Sequence, residues 1–273
     1  MTNLTRRVAQ ALGKHFVTLS CVQHPPDDLP EKVLVFSGFV VDVAGEWFYV
    51  TAGHILRNIE TALASGSSFD VWRLDDQTAG NRFNGMAVPY EFDAEEWLVL
   101  RDDTSGLDYA ATHIGYFYRR QLEAGGVTAI ERNAWSDHVT EHDHWVLVGI
   151  PSESVAYDEK TIITARVVMS LLKPADEPAL ACEKTQNQFY AKPDDGSESI
   201  FNDADGLSGG PVFALKKLGE KWVYGVIGVQ SAWYRTSRTL AVCPFSSFGF
   251  ALEKIVIEAH AIQSQFGGVT SAT

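Results

Sequence analysis

Asp205-Gly206-Leu207-Ser208-Gly209-Gly210-Pro211 sets one serine among three glycines and ends in a proline that can open a strand. Glycine tolerates left-handed dihedrals and lets backbone N–H groups come close to another molecule. A serine hydroxyl is a weak nucleophile and needs a base to take its proton as it attacks a carbonyl. The oxyanion then formed needs fixed donors, and the N–H groups of Gly206 and Ser208 are suited to supply them.

Working outward, two further segments carry the partners such a serine requires. Thr51-Ala52-Gly53-His54 closes a strand-like run, Trp47-Phe48-Tyr49-Val50-Thr51, with small residues that let the chain turn and present an imidazole. Gly106-Leu107-Asp108-Tyr109-Ala110-Ala111 places one acid in an apolar, strand-like frame, where a buried carboxylate needs a partner. A carboxylate that holds an imidazole in one tautomer and stabilises its protonated form completes the set. Asp102 and Asp103 are rivals for that part, but they lie in a polar loop signal.

The rest of the chain reads mainly as strands. Val33-Leu34-Val35-Phe36 and Gly38-Phe39-Val40-Val41 are short and apolar, and Asp42-Val43-Ala44-Gly45-Glu46 makes the turn into the next strand. Further strands are expected at 96–101, 145–150, 161–169, 211–215 and 222–230. Helices are expected only near the ends, at 4–12 and 252–266, the second from the spacing of Leu252, Ile255, Val256, Ala259 and Ile262. The stretch 173–199, rich in Pro, Asp, Glu and Ser, reads as surface loop. Tyr116-Phe117-Tyr118 reads as core and barrel rim. His138, His142 and His144 read as a solvated polar loop, and no metal site is expected. The tail from Gly267 is expected to be disordered.

The chain has 273 residues and a formal net charge of -13, with 35 acidic against 22 basic residues. Phosphate contact requires an excess of Lys and Arg, so nucleic-acid binding is excluded. No apolar run reaches the roughly 18 residues a membrane-spanning helix needs, and Met1 to Cys21 lacks the pattern of a signal peptide. Three cysteines, Cys21, Cys182 and Cys243, are too few for a disulfide framework and point to a cytoplasmic setting.

Taken in order, the three segments resemble the trypsin-like (chymotrypsin-fold) serine peptidases, over about residues 30 to 255. Gly38-Phe39-Val40-Val41-Asp42, Val226-Ile227-Gly228-Val229-Gln230-Ser231-Ala232 and Gly249-Phe250-Ala251 are similar to segments of the bacterial HtrA-type branch, with no PDZ domain following. The resemblance implies an all-β fold of two six-stranded antiparallel barrels, at 15–120 and 121–250, with a C-terminal helix at 251–266. His54 and Asp108 would come from the first barrel and Ser208 from the second.

It also implies a serine endopeptidase that cleaves a protein or peptide substrate through an acyl-enzyme and needs no cofactor. The alternative is a catalytically silent binding module on the same fold. Asn202 is expected at the base of the specificity pocket, with Asp205 nearby and Ser231, Ala232 and Trp233 on the opposite wall. Secreted members carry Asp where this chain has Leu207, so activation by an ion pair to a new N-terminus is not available. A regulatory protein partner or a ligand is the expected alternative.

Overall fold

A computed structural model describes residues 3–27, 29–75, 87–157, 163–179, 187–194, 196 and 200–267. The first half contains α1 (Asn3–Gly13), β1 (Phe16–His24), β2 (Lys32–Val43), β3 (Glu46–Thr51), α2 (Gly53–Ala64), β4 (Ser68–Asp75), β5 (Val88–Pro89), β6 (Trp97–Asp102), β7 (Leu107–His113) and α3 (Tyr116–Gly125). The second contains β8 (His144–Gly149), β9 (Ala156–Tyr157), β10 (Ile163–Thr164), β11 (Val168–Ala175), β12 (Phe189–Pro193), β13 (Pro211–Leu218), β14 (Lys221–Tyr234), β15 (Thr239–Pro244) and α4 (Phe245–Gly267).

The arrangement is chymotrypsin-like, with two antiparallel β units packed together and a helix at the C-terminal end. β8 and β11–β15 close into a six-stranded barrel in the order β11-β12-β15-β14-β13-β8. The first unit is a seven-stranded sheet in the order β5-β4-β1-β2-β3-β7-β6. It differs from the expected closed six-stranded barrel, because no ladder joins β6 to β4 or β5 among the described residues. β5 is two residues long and ends in Pro89, which has no N–H to extend a ladder.

Alternation builds three cores. Val17, Leu19, Tyr49, Ile55 and Leu74 fill the first unit, and Leu147, Val212, Ala214, Ile227 and Val242 fill the closed barrel. Between the units, Phe39, Val41 and Tyr109 of the first meet Val148, Phe213 and Val229 of the second. α4 seals this layer with Phe245, Phe248 and Leu252. The predicted turn after β2 is a tight hairpin, with Ala44 at φ 53° and Gly45 at φ 92°.

Several expectations are corrected. α4 begins at Phe245, not 251, because Phe245 and Phe248 extend its buried stripe back to Pro244. α2 and α3 lie in the interior of the chain, where no helix was expected. Tyr116 and Phe117 open α3 at 78% and 62% exposure, outside the core, whereas Tyr118 packs against the first core as expected. The expected loop 173–199 contains β12, whose Phe189, Tyr190 and Ala191 are buried in the barrel wall. The expected strand at 161–169 is divided between β10 and β11, apart from 161–162. Residues 161–162, Cys182 and the tail beyond Gly267 lie outside the described residues.

Candidate active site

The site lies where the two units meet. Ala52 and Gly53 lead from β3 into α2, and a Cβ on Gly53 would stand 2.9 Å from the Tyr109 carbonyl oxygen. Only glycine therefore lets the start of α2 close onto β7. This contact puts the backbone N–H of His54 2.7 Å from Oδ1 of Asp108, a carboxylate at a helix N-terminus. The imidazole Nδ1 of His54 lies 2.7 Å from Oδ2. A ring nitrogen facing a carboxylate carries the proton, which leaves Nε2 as the acceptor.

A third donor comes from the second unit. Ser231 Oγ donates to Asp108 Oδ2 at 2.6 Å. The ladder between β14 and β15 shifts register between Gln230 and Ala232, so Ser231 sits at a β-bulge. A bulge re-aims a side chain out of the regular pleat. Ser231 was expected only in the wall of the specificity pocket, and its hold on Asp108 was missed. The available signal was a hydroxyl in a buried strand, which needs a partner. Asp108 is 7% exposed with both oxygens satisfied. Burial pushes its carboxyl up, but the hydrogen bonds from His54 and Ser231 and the His54 charge outweigh this, so the net shift is downward.

Ser208 follows a loop made possible by its glycines. Gly206 and Gly209 both have φ of 87°. A Cβ on Gly209 would lie 2.0 Å from Thr51 Oγ1, so this glycine lets the serine loop seat against the end of β3. Leu207 is fully buried and packs into the core of the closed barrel. Among the described residues, the N–H groups of Gly206 and Ser208 have no hydrogen-bond acceptor, whereas those of Leu207, Gly209 and Gly210 are bound to Ala204, Gln230 and Leu207. The Ser208 hydroxyl donates to the Ser231 carbonyl at 3.3 Å and makes no hydrogen bond to His54. Ser231 thus touches both Ser208 and Asp108.

The expected specificity residues are distributed differently. Asn202 is exposed, its N–H is held by Glu153 Oε1 at 2.9 Å, and it is not among the described residues lining the cleft beside His54. The inward residue is its neighbour Phe201, 1% exposed, with its ring centroid 6.1 Å from that of Trp233. Arg238 lies 5.7 Å over Trp233. Asp205 is also exposed and shares the Arg235 guanidinium with Asp203, at 2.5 and 2.7 Å. Ala232 and Ser231 line a cleft of about 280 Å³ beside His54, with Gly106, Gln188 and Tyr234. The rival acids Asp102 and Asp103 stand on its rim; Asp102 is occupied by Thr104 and Ser105, and Asp103 pairs with Arg101. Among the described residues, no three His, Cys, Asp or Glu side chains gather as a metal site.

No protein-family model and no curated protein matches the chain. Among solved structures it is similar to a thermostable serine protease, AL20, from an extremophilic microorganism, at 15% identity over 88% of this chain and 95% of that one, TM-score 0.46. It is similar to the serine protease domain of the Sesbania mosaic virus polyprotein, at 10% identity over 86% and 90%, TM-score 0.43. It is also similar to a scabies mite inactivated protease paralogue, S-D1, at 13% identity over 91% and 94%, TM-score 0.49. At these identities and scores the likenesses carry no argument about activity.

Proposed function

We propose that this chain is a serine endopeptidase with Ser208 as nucleophile, His54 as base and Asp108 as the acid that orients the base. The observation that carries this reading is the convergence of His54 N–H, His54 Nδ1 and Ser231 Oγ on the buried Asp108 carboxylate. Such a carboxylate fixes the imidazole tautomer and stabilises the imidazolium formed in the reaction.

In turnover the Ser208 hydroxyl leaves the Ser231 carbonyl for His54 Nε2, gives up its proton there and attacks the substrate carbonyl. Long or misaligned contacts of this kind before substrate binds are common in active sites. The oxyanion is received by the N–H groups of Gly206 and Ser208. His54 then passes its proton to the leaving amine, and water releases the acyl group from Ser208.

Leu207 supports regulation by a partner or ligand in place of zymogen cleavage, since buried leucine cannot form the ion pair that cleavage completes. The likeness to the HtrA branch rests on the motif segments alone. A reducing, cytoplasmic setting is supported by Cys21 and Cys243, both buried and free; burial, chiefly, pushes the Cys243 thiol up to about 12.

The silent binding module remains a second reading because of two observations. The Ser208 hydroxyl faces Ser231 and not His54, and the Trp233 ring, expected in a pocket wall, packs edge-on against buried Phe201. Peptide-library hydrolysis separates the readings: the native chain cleaves peptides, and Ser208→Ala and His54→Ala each abolish cleavage while remaining folded. Undiminished cleavage in His54→Ala overturns the endopeptidase assignment.

A further inference from the structure

A second cavity, of about 830 Å³, lies between α1 and the outer face of the closed barrel. Val8 of α1 and Val146, Met169, Leu215 and Trp222 of the barrel make its floor. This size is within the range of about 300–1,000 Å³ usual for small-molecule sites, which combine an apolar body with a few placed polar groups. Thr5, Gln10 and His144 supply polar groups to the lining, and its two guanidinium groups, Arg6 and Arg166, are of one sign. Arg6 and Arg166 line the cavity and are exposed, so their guanidinium groups can meet a ligand's head at the rim.

No carboxylate lines the cavity among the described residues, although acidic residues outnumber basic ones by 35 to 22 in the whole chain. Arg166 is positioned: its Nη2 donates to the Ile200 carbonyl at 3.0 Å, and its backbone is bracketed by Ser154 Oγ. Guanidinium groups bind carboxylates and phosphates by paired, charge-assisted hydrogen bonds.

We propose that this cleft binds a small amphiphilic anion, an unbranched apolar chain lying on the Val146–Met169–Leu215–Trp222 floor with its carboxylate or phosphate head at Arg6 and Arg166. The tail is favoured by removal of apolar surface from water, and the head by two positive groups with no acid among the described lining residues. The cleft is separate from the Ser208 site, and the proposal does not depend on catalysis.

Dodecanoate, dodecyltrimethylammonium and dodecanol, each below its micelle-forming concentration, are titrated into the whole chain by calorimetry. Dodecanoate is expected to bind at one site, at least about tenfold more tightly than either other chain, tenfold being about 1.4 kcal/mol. Reversing both charges, Arg6→Glu with Arg166→Glu, should weaken dodecanoate by about tenfold or more without changing its order of entry into the thermal transition. Should that variant fail to fold, Arg6→Gln with Arg166→Gln provides the same reading. Ala9→Trp, which fills the cleft and keeps both charges, should also abolish binding. A sedimentation arm with phosphatidylglycerol vesicles separates a free amphiphile from a lipid surface, and the protein is expected in the supernatant. Equal affinity for all three chains, unchanged affinity in the charge variants, or pelleting with vesicles without monomer binding overturns the proposal.

Discussion

Around Asp108, three donors from two β units converge on one carboxyl that is 7% exposed. Around Asp203 and Asp205 the ratio is reversed, with one guanidinium, Arg235, serving two carboxylates while itself 66% exposed. Both are ionic clusters, yet water separates their consequences. A buried charge stripped of a partner keeps its full desolvation cost, whereas an exposed ion pair contributes roughly 0–1 kcal/mol and weakens with salt. The first cluster holds an imidazole in one orientation, and the second is an exposed ion pair beside the loop that carries Ser208.

The largest test of this contrast is Asp108→Asn. The amide keeps the volume but no longer demands a proton on His54 Nδ1, so kcat/KM should fall by about 10⁴-fold with the fold retained. A loss under tenfold would break the contrast. Leu207→Ala probes the apolar support of the nucleophile loop: a fully buried leucine truncated to alanine costs about 2–5 kcal/mol, read by chemical denaturation. If Leu207 were merely covered by a mobile loop, the change would be near zero.

A second buried polar centre extends the comparison to pH. His15 is 4% exposed, with Nδ1 2.5 Å from the Thr128 carbonyl and Nε2 2.8 Å from the Tyr224 hydroxyl. Burial lowers it to about 4, opposed by the Thr128 carbonyl and aided by Lys14. The unfolded histidine takes its proton near pH 6.5. Its contribution is therefore complete above about pH 6.5 and is lost as pH falls toward about 4, where the folded group also protonates. The shift corresponds to about 3 kcal/mol. His15→Gln should flatten the stability curve in that window, and a curve as steep as before would exclude His15 as its source.

Ser231→Ala removes one donor to a charged acceptor, and about tenfold in kcat/KM is expected to go with it. The smallest stability effect belongs to Arg235→Ala, within about 1 kcal/mol, but the preference at the residue preceding the cleaved bond should change as Asp203 and Asp205 lose their cation. An unchanged preference would remove this pair from the substrate wall.

The same contrast explains what was legible beforehand. His54, Asp108 and the glycines around Ser208 could be read because each residue type answers a local chemical or conformational demand. Most strands could be read from short apolar runs punctuated by turns, whereas their closure into a barrel was implied by the family resemblance. β12 was obscured because its five residues stand between polar segments. The start of α4 was misplaced because Phe245 and Phe248 serve a core layer supplied by distant strands. Ser231 was assigned to a wall because a bulge, which turns its hydroxyl toward Asp108, depends on pairing between β14 and β15. Asn202 was placed at a pocket base by counting back from Ser208, a count that does not foresee its neighbour Phe201 being the buried residue of the pair.

The central claim is tested most directly by fluorophosphonate labelling of the native chain, with the modified residue located by peptide mass spectrometry. The probe needs an activated serine and a preformed pair of oxyanion donors, but no knowledge of the substrate. Stoichiometric modification at Ser208, abolished in Ser208→Ala and strongly slowed in His54→Ala, is the predicted result. Absence of labelling at Ser208 under conditions that label a control serine protease, or an unchanged labelling rate in His54→Ala, would contradict it.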